Sequence, residues 1–227
     1  MSGRLEAVCV SGTDLPSVPD RKPQRTGIDK RPVAGRVAVH RLGLDGDVQV
    51  NRRYHGGEGQ ALYAYAQEDA DWWAAELDRE LPAGSFGENL RTRGVDLTGS
   101  LLGERWRVGT TVLEVTDCRI PCANFERFWG VPQLVRRFTR HGAPGAYLRV
   151  LETGEIGAGD AVEVLDRPGH GVTVGTAFRA YTTEKHRLPE LAPALATLPE
   201  RTRGRIAARI AKRTAATVSA VRTATRS

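Results

Sequence analysis

Short apolar runs separated by turn residues dominate the first two thirds of the chain. The runs are rich in Val, Leu and Tyr, and Gly, Asp or Pro stands between them, which is the pattern of β-strands. They cover residues 5–10, 35–39, 47–51, 61–66, 105–109, 111–116, 146–151 and 160–165. Many short strands of this kind predict a mainly β fold, either a barrel or a sandwich.

Two helices are predicted among these strands. In residues 67–81, apolar side chains recur at four-residue spacing from Trp73 to Leu81, and acidic residues occupy the first turn, where the helix dipole favours negative charge. Residues 131–142 have Pro132 near their start and a glycine at their end. Proline is common in the first turn of a helix and glycine directly after the last, so a short helix is predicted here. We interpret the paired tryptophans of the first helix as packing residues.

The pattern becomes helical after about residue 166. Three helix-like stretches follow, and Ile206 and Ile210 begin a rough apolar stripe on the last of them. The sequence therefore predicts a β-rich body over residues 1–166 and a small α-helical appendage over residues 167–227.

The chain has 227 residues and a formal net charge of +6. Residues 201–227 contain eight basic residues and no acidic one, whereas the other 200 residues contain 25 basic and 27 acidic residues. The positive excess thus belongs to one tail, which argues against nucleic acid as a partner of the body. No apolar run approaches the ~18 residues of a membrane span, and three cysteines without framework spacing favour free thiols in the cytoplasm.

Two of the cysteines lie in the stretch DCRIPCANF, which follows a predicted strand directly. Cys118 and Cys122 are four residues apart, with Arg119 between them. A neighbouring cation lowers the pKa of a thiol, and loops at strand ends often carry chemistry. A reactive thiol, a buried structural cysteine, a disulfide and a zinc ligand all remain open from spacing alone.

Basic and glycine-rich segments supply the other candidate residues. Arg52, Arg53 and His55 precede Gly56 and Gly57, and exposed backbone N–H groups beside cations form anion sites. A turn with an internally bonded histidine explains the same pattern equally well.

Two further segments are weaker candidates. Lys30 and Arg31 precede a proline that enforces extended backbone, which reads as a basic loop. Glu88 and Asn89 follow a Gly-bracketed Phe86, which reads as a tight turn entering a strand. Taken together, the segments describe a basic, glycine-lined site with a thiol at its edge.

Five ordered motifs resemble a known family. They are IDKRPV, GLDGDVQVNRRYHGGEGQALYAY, LPAGSFGENLRTRGVDL, GERWRVGTTVLEVTDCRIPC and RFTRHGAPGAYLRVLETGEIGAGDAVEV. Over about residues 25–165 they resemble the MOSC domain, named after the C-terminal domain of molybdenum cofactor sulfurase, and in particular its YiiM-like branch. The segment beginning HGVTVGTAFRAY resembles the three-helix appendage of that branch.

The resemblance implies a β-barrel-like domain that binds the molybdenum cofactor, a molybdopterin. It also implies pyridoxal phosphate binding, which is associated with the family. The cysteine of the RxPC motif, here Cys122, is implied as the molybdenum ligand or sulfur carrier. Unlike some relatives, this chain has no basic residue soon after that cysteine.

Roles for the other candidates follow from the same resemblance. His55 would orient the substrate or deliver a proton, and Asn89 would hold the pterin edge. Arg119 would stabilise the thiolate and the anionic cofactor. The cofactor's phosphate would be bound by the remaining cations and glycines, namely Lys30, Arg31, Arg53, Gly56 and Gly57.

The implied reaction is the reduction of N-hydroxylated substrates, of the hydroxylaminopurine or amidoxime type. The chain has neither a flavin fingerprint nor a four-cysteine cluster signature, so the expected electron donor is a separate flavin or iron–sulfur protein. The expected assembly includes a homodimer, and the basic appendage is a candidate docking element for the donor. The rival function is a carrier that stores cofactor, or sulfur as a persulfide on Cys122, without catalysis.

Overall fold

The computed structural model describes residues 3–11, 27–48 and 56–224, with side chains described up to residue 213. Within these ranges the chain forms eleven strands. Their bounds are β1 Gly3–Val10, β2 Arg31–Pro32, β3 Arg36–His40, β4 Gly43–Leu44, β5 Leu62–Ala66, β6 Leu90–Arg93, β7 Arg105–Val108, β8 Thr111–Cys118, β9 Ala146–Glu152, β10 Gly154–Gly157 and β11 Ala161–Asp166.

Seven of these strands close into a barrel. The order is β11-β7-β8-β9-β5-β6-β1, and pairing of β1 with β11 completes the circle. β5 and β6 run parallel, and the helix between them provides the crossover that parallel neighbours require. β2 pairs with β1 outside the closed ring, and β10, β3 and β4 form a small separate sheet. The predicted mainly β, barrel-like fold is confirmed.

Five α-helices cover the barrel in the described part of the chain. Their bounds are α1 Gln67–Leu77, α2 Ala123–Trp129, α3 Leu134–His141, α4 Val174–Tyr181 and α5 Glu200–Ala224. 3₁₀ turns occupy Glu58–Gln60 and Lys185–Ala194. Pro189 and Pro193 lie inside the second of these, and the missing N–H groups explain why this predicted helical stretch is not an α-helix.

Other boundaries differ from the sequence prediction for local reasons. α1 ends four residues early because Asp78 adopts a left-handed conformation with φ 48°. The helix predicted over 131–142 begins only at Leu134, because Gln133 is left-handed with φ 58°. The strand predicted over 47–51 is not formed at Asp47 and Val48, and its other residues lie outside the described ranges. α2, β2, β4, β6 and β10 were not predicted, because elements of two to seven residues are too short to show a periodic pattern.

One continuous apolar core joins the barrel to the C-terminal helices. Trp106 and Leu113 of the barrel, Phe178 of α4 and Ile206 of α5 belong to the same buried cluster. A layer of aromatic rings lies beneath α1, α2 and α3, where the Tyr65 ring stacks on Phe86 at 4.0 Å. The barrel end that carries Cys118 thus meets helices from both halves of the chain. The division of the chain at residue 167 into separate domains stays a prediction.

Candidate functional site

Cys122 lies at the junction between β8 and α2. Its backbone is extended (φ −132°, ψ 167°), and its carbonyl accepts the first helical bonds, from Phe125 N at 3.0 Å and Glu126 N at 3.2 Å. The thiol is free and half-buried. The helix therefore fixes the backbone of Cys122, and the residue as a whole stays partly exposed.

The neighbouring thiols are in a different environment. Cys118 is the last residue of β8 and belongs to the apolar core, where burial, reinforced by Asp117, raises its pKa well above the ordinary value. Cys9 in β1 is fully buried, and burial raises its pKa to about 12, with Glu88 adding to the effect. Because the thiolate is the reactive form, Cys122 is the thiol of this chain placed to bind or react.

Arg119 holds a buried cation next to Cys122. Its guanidinium lies over the rings of Phe125 and Tyr63, 4.3 and 5.1 Å from their centroids, and donates to the Phe86 carbonyl. Burial works to lower the pKa of Arg119, but the facing tyrosines and Cys122 outweigh it and the net shift is upward. The side chain thus stays charged at every physiological pH.

Tyr147 lies at the centre of this group of residues. On β9 it is the strand partner of both Tyr63 and Asp117, and the two tyrosine rings are 5.4 Å apart. Burial raises the pKa of Tyr147 to about 12, and Arg119 opposes that shift. The sequence interpretation missed Tyr63 and Tyr147, which it treated only as strand residues. The signal was their polar hydroxyl within otherwise apolar strands.

Asp117 connects this end of the barrel to the helical segment. One carboxylate oxygen accepts from Cys118 N at 2.9 Å, and the group also interacts with Thr202, Tyr181 and Arg205. Burial raises the pKa of Asp117 to about 6 in spite of these partners. This residue, too, was missed by sequence reasoning, since an acid at a strand end is usually exposed.

Lys30 and Asn89 meet in a second, separate network. The Lys30 ammonium contacts both carboxylate oxygens of Asp47, at 2.5 and 2.6 Å, and this ion pair is almost completely buried. Ser11 and Asn89 also donate to Asp47, and these donors hold its pKa below the ordinary value against the opposing effect of burial. The charge of Lys30 is therefore neutralised inside the protein.

The Asn89 amide is used internally as well. Its Nδ2 donates to the Cys9 carbonyl at 3.2 Å and to Asp47 at 2.8 Å, while its Oδ1 accepts from Tyr63 N at 3.2 Å. Asn89 thereby links β1, β5 and the segment after β4. The assignments of Lys30 to the phosphate and of Asn89 to the pterin stay predictions.

Together with Lys30, Arg31 lines a pocket of about 560 Å³. Its side chain is 68% exposed and lies 3.5 Å from Asp29. Phe128 and Trp129, at the far end of α2 from Cys122, form the apolar wall of the pocket. Arg31 therefore lies near the C-terminal end of α2, and Cys122 lies at the N-terminal end of the same helix.

The glycine pair lies beside the end of β8. Gly56 and Gly57 have positive φ values of 104° and 82°, and Gly56 N donates to Gln60 Oε1 at 3.3 Å. The turn that follows is fixed by Thr116 of β8, whose hydroxyl donates to the Gly59 carbonyl at 2.6 Å. The predicted residues Arg53 and His55, which precede this turn, lie outside the described residues.

The chain is similar to several known proteins. The MOSC domain family profile matches residues 51–163. YflK of Bacillus subtilis, an uncharacterised protein, is 34% identical over 160 residues, which span 70% of this chain and 72% of YflK. A Gibberella moniliformis protein named Reductase is 32% identical over 147 residues, or 63% of this chain but only 26% of that protein.

Solved structures extend the likeness to nearly the whole chain. The crystal structure of YiiM from Geobacillus stearothermophilus has a TM-score of 0.76 and 26% identity, and the match covers 92% of this chain and 99% of that one. The barrel, the helices and the C-terminal segment are therefore shared features. Together with the sequence match to YflK, they show that this chain belongs to the MOSC domain family.

Proposed function

We propose that this protein binds the molybdenum cofactor and uses it to reduce N-hydroxylated substrates. Membership of the MOSC domain family and the relative named Reductase support an oxidoreductase linked to that cofactor. The observation that carries the proposal is the free, half-buried thiol of Cys122 beside the buried cation of Arg119. This arrangement provides one soft ligand in a positively charged setting.

The residues of the site fit such a cofactor in chemical type. Molybdenum bound by a dithiolene is a soft centre, for which a thiolate is a suitable protein ligand. Cys122 would supply that thiolate, and Arg119 would stabilise its negative charge without competing as a ligand. The neighbouring hydroxyl of Tyr147 stays protonated at neutral pH, since burial raises its pKa to about 12, so it can donate a hydrogen bond to an oxygen or sulfur atom at the site.

An anionic terminal group of the cofactor would need cations and backbone N–H groups. Gly56 and Gly57, with backbone that only glycine adopts easily, precede the turn whose Gly59 carbonyl accepts from Thr116 of β8. Arg53 and His55 immediately precede them in sequence, and Arg31 is an exposed cation. We assign Arg31, Arg53 and the two glycines to this anion, and His55 to substrate orientation and proton delivery.

The overall reaction consumes two electrons and two protons. The N–O bond of R–NHOH breaks, the nitrogen leaves as R–NH2, and the oxygen leaves as water; an amidoxime gives the amidine in the same way. The cofactor supplies the two-electron redox chemistry when bound. The protein positions the N–OH group, excludes water and provides hydrogen-bond donors.

The electrons must come from a separate flavin or iron–sulfur protein. The relative named Reductase is informative here, because the segment that resembles this chain makes up only 26% of it. In that protein the homologous segment belongs to a much longer chain. We infer that the present chain obtains its electrons from a partner.

Serine substitution of the two neighbouring cysteines tests the proposal. Cys122→Ser should lower the molybdenum and pterin content of gently purified protein at least about tenfold, because a hydroxyl is a poor ligand for a soft metal. Cys118→Ser, four residues away in the core, is the matched control and should retain cofactor in its folded fraction. Reduction of benzamidoxime by reduced methyl viologen should follow the cofactor content.

Two results would contradict the proposal. Loss of cofactor in Cys118→Ser but not in Cys122→Ser would mean that the wrong thiol had been assigned. Wild-type protein with full cofactor but no reduction of N-hydroxylated compounds would instead indicate a storage or sulfur-carrying role for Cys122.

A further inference from the structure

The last helix has a buried side and a basic side. Thr202 and Ile206 are buried against the rest of the protein, and Ile210 is partly buried, so α5 packs through residues spaced by four. The four residues that we call the basic stripe follow the same spacing on an adjacent face. They are Arg201, Arg205, Arg209 and Lys212, and all four are exposed. The i, i+4, i+8, i+11 spacing keeps them on one side of the helix.

The basic stripe is long and carries little opposite charge on its own helix. At 1.5 Å rise per residue, eleven residues span about 17 Å. Over residues 200–213, whose side chains are described, α5 has six basic residues and one acidic residue, Glu200. Neighbouring like charges destabilise an isolated helix slightly, so repulsion within the helix does not favour this concentration.

The beginning of the stripe lies beside the candidate site. Pro199, directly before α5, packs so closely on Gly59 that a side chain there would clash with it. Gly59 is in turn hydrogen-bonded to Thr116 of β8. Thr202 and Arg205 interact with Asp117, the strand partner of Tyr147. A macromolecule bound along the stripe would therefore lie next to the barrel end that carries Cys122.

We propose that the basic stripe is the docking surface for an acidic electron-donor protein. This inference rests on the proposed function, which requires such a partner. The stripe is far longer than one phosphate or carboxylate, so a small anionic ligand would leave most of it unused. A nucleic acid would have to approach a body in which acidic residues outnumber basic ones outside residues 201–227. Complementary charge raises association rates and orients a partner.

Charge reversal on the stripe is the direct test. In Arg209→Glu/Lys212→Glu, both changes are at exposed positions that do not touch the candidate site. The matched control is Arg107→Glu/Arg203→Glu, which changes the net charge equally at an exposed position of β7 and on the other flank of α5. With an acidic FMN flavodoxin, kept reduced, as the donor, the stripe variant should lose about tenfold in kcat/KM for the donor at low salt. The control should change less than about twofold.

Reduced methyl viologen separates docking from chemistry. Both variants should reduce benzamidoxime with this small donor as the wild type does, because it needs no protein surface. Equal loss in both variants with flavodoxin, or equal loss with both donors, would overturn the docking proposal. Failure of the wild-type protein to reduce benzamidoxime with viologen would overturn the proposed function instead.

Direct binding gives a readout that does not depend on activity. The affinity of flavodoxin for the wild-type protein should fall steeply with salt, and the stripe variant should bind at least about tenfold more weakly. A 20-nucleotide DNA or RNA strand should bind weakly to both proteins. Strong oligonucleotide binding that is lost in the stripe variant, without flavodoxin binding, would assign the surface to nucleic acid and overturn the proposal.

Discussion

Titratable residues that are close in sequence near the end of β8 differ in how deeply they are buried. Cys118 and Cys122 are only four residues apart, yet one sulfur lies in the apolar core and the other is half-buried beside a guanidinium. The same burial acts on Asp117, whose pKa is raised to about 6 even though several donors favour its charged form. A buried acid with such a pKa has a measurable consequence for stability.

Asp117 should make the protein less stable as pH rises. Its folded pKa of about 6 lies above the ordinary value of 3.8, so the folded state keeps the proton over a range in which the unfolded state has lost it. This contribution is complete at low pH and is lost as pH rises through about 6. Relative to Asp117→Asn, which keeps an acceptor for Cys118 N–H, the wild type should lose about 1 kcal/mol between pH 5 and 7.5.

Urea denaturation of both proteins at the two pH values measures this difference. Comparing the wild type with the variant removes the effect of other titrating groups, such as the histidines. A constant difference in the free energy of unfolding would show that Asp117 is not the buried acid described here.

At the scale of elements, the loop before β6 is shaped by close backbone contact. Gly84 has φ +95°, and a Cβ atom there would lie 1.9 Å from the Lys30 carbonyl oxygen. The Glu88 carboxylate accepts from Gly84 N at 2.7 Å and from Phe86 N at 2.9 Å and pairs with Arg91 in the interior. The loop therefore holds the Lys30 segment against the barrel and provides the Phe86 carbonyl that Arg119 contacts.

Gly84→Ala should destabilise the protein by about 3 kcal/mol or more, because a left-handed backbone and a steric clash add together. Gly35→Ala is the matched control: its φ is +77°, but nothing lies within 4 Å of its Cβ position, so it should cost only about 1 kcal/mol. Urea denaturation gives both values. Equal costs would mean that the contact with Lys30 has no energetic weight.

At the scale of the molecule, the C-terminal helices share one apolar core with the barrel. Phe178 of α4 is fully buried in the same cluster as barrel residues such as Leu113. Such shared burial favours a single cooperative unfolding unit. Deleting residues 167–227 would expose much of this core, which is why charge reversal on α5 is the cleaner test of docking.

Phe178→Ala should lower the free energy of unfolding of the whole protein by about 3–5 kcal/mol. All four tryptophans lie at or before residue 129, so tryptophan fluorescence reports on the body, whereas circular dichroism at the helix band includes α4 and α5. Both signals should shift together in the variant. A shift in circular dichroism with unchanged fluorescence would instead show that residues 167–227 unfold as a separate domain.

Much of the architecture was determined by the sequence. Short apolar runs and the turn residues between them predicted the main barrel strands, because these features act over a few neighbouring residues. Apolar spacing and residues typical of helix ends located α1 and α3 approximately. Five ordered motifs indicated the MOSC domain family. The charged character of α5 was equally visible. These properties depend on which residues are neighbours along the chain, and the sequence states that directly.

Tertiary structure decided which polar groups meet. It paired Lys30 with Asp47, linked Asn89 to β1, β5 and Asp47, and placed Tyr147 between Tyr63 and Asp117. Packing of α5 against the barrel also brought Thr202 and Arg205 to Asp117, near the end of β8. These contacts join residues far apart in sequence, and burial sets their charge states. No local pattern contains that information, because both the partner and the solvent exposure arise only when the chain folds.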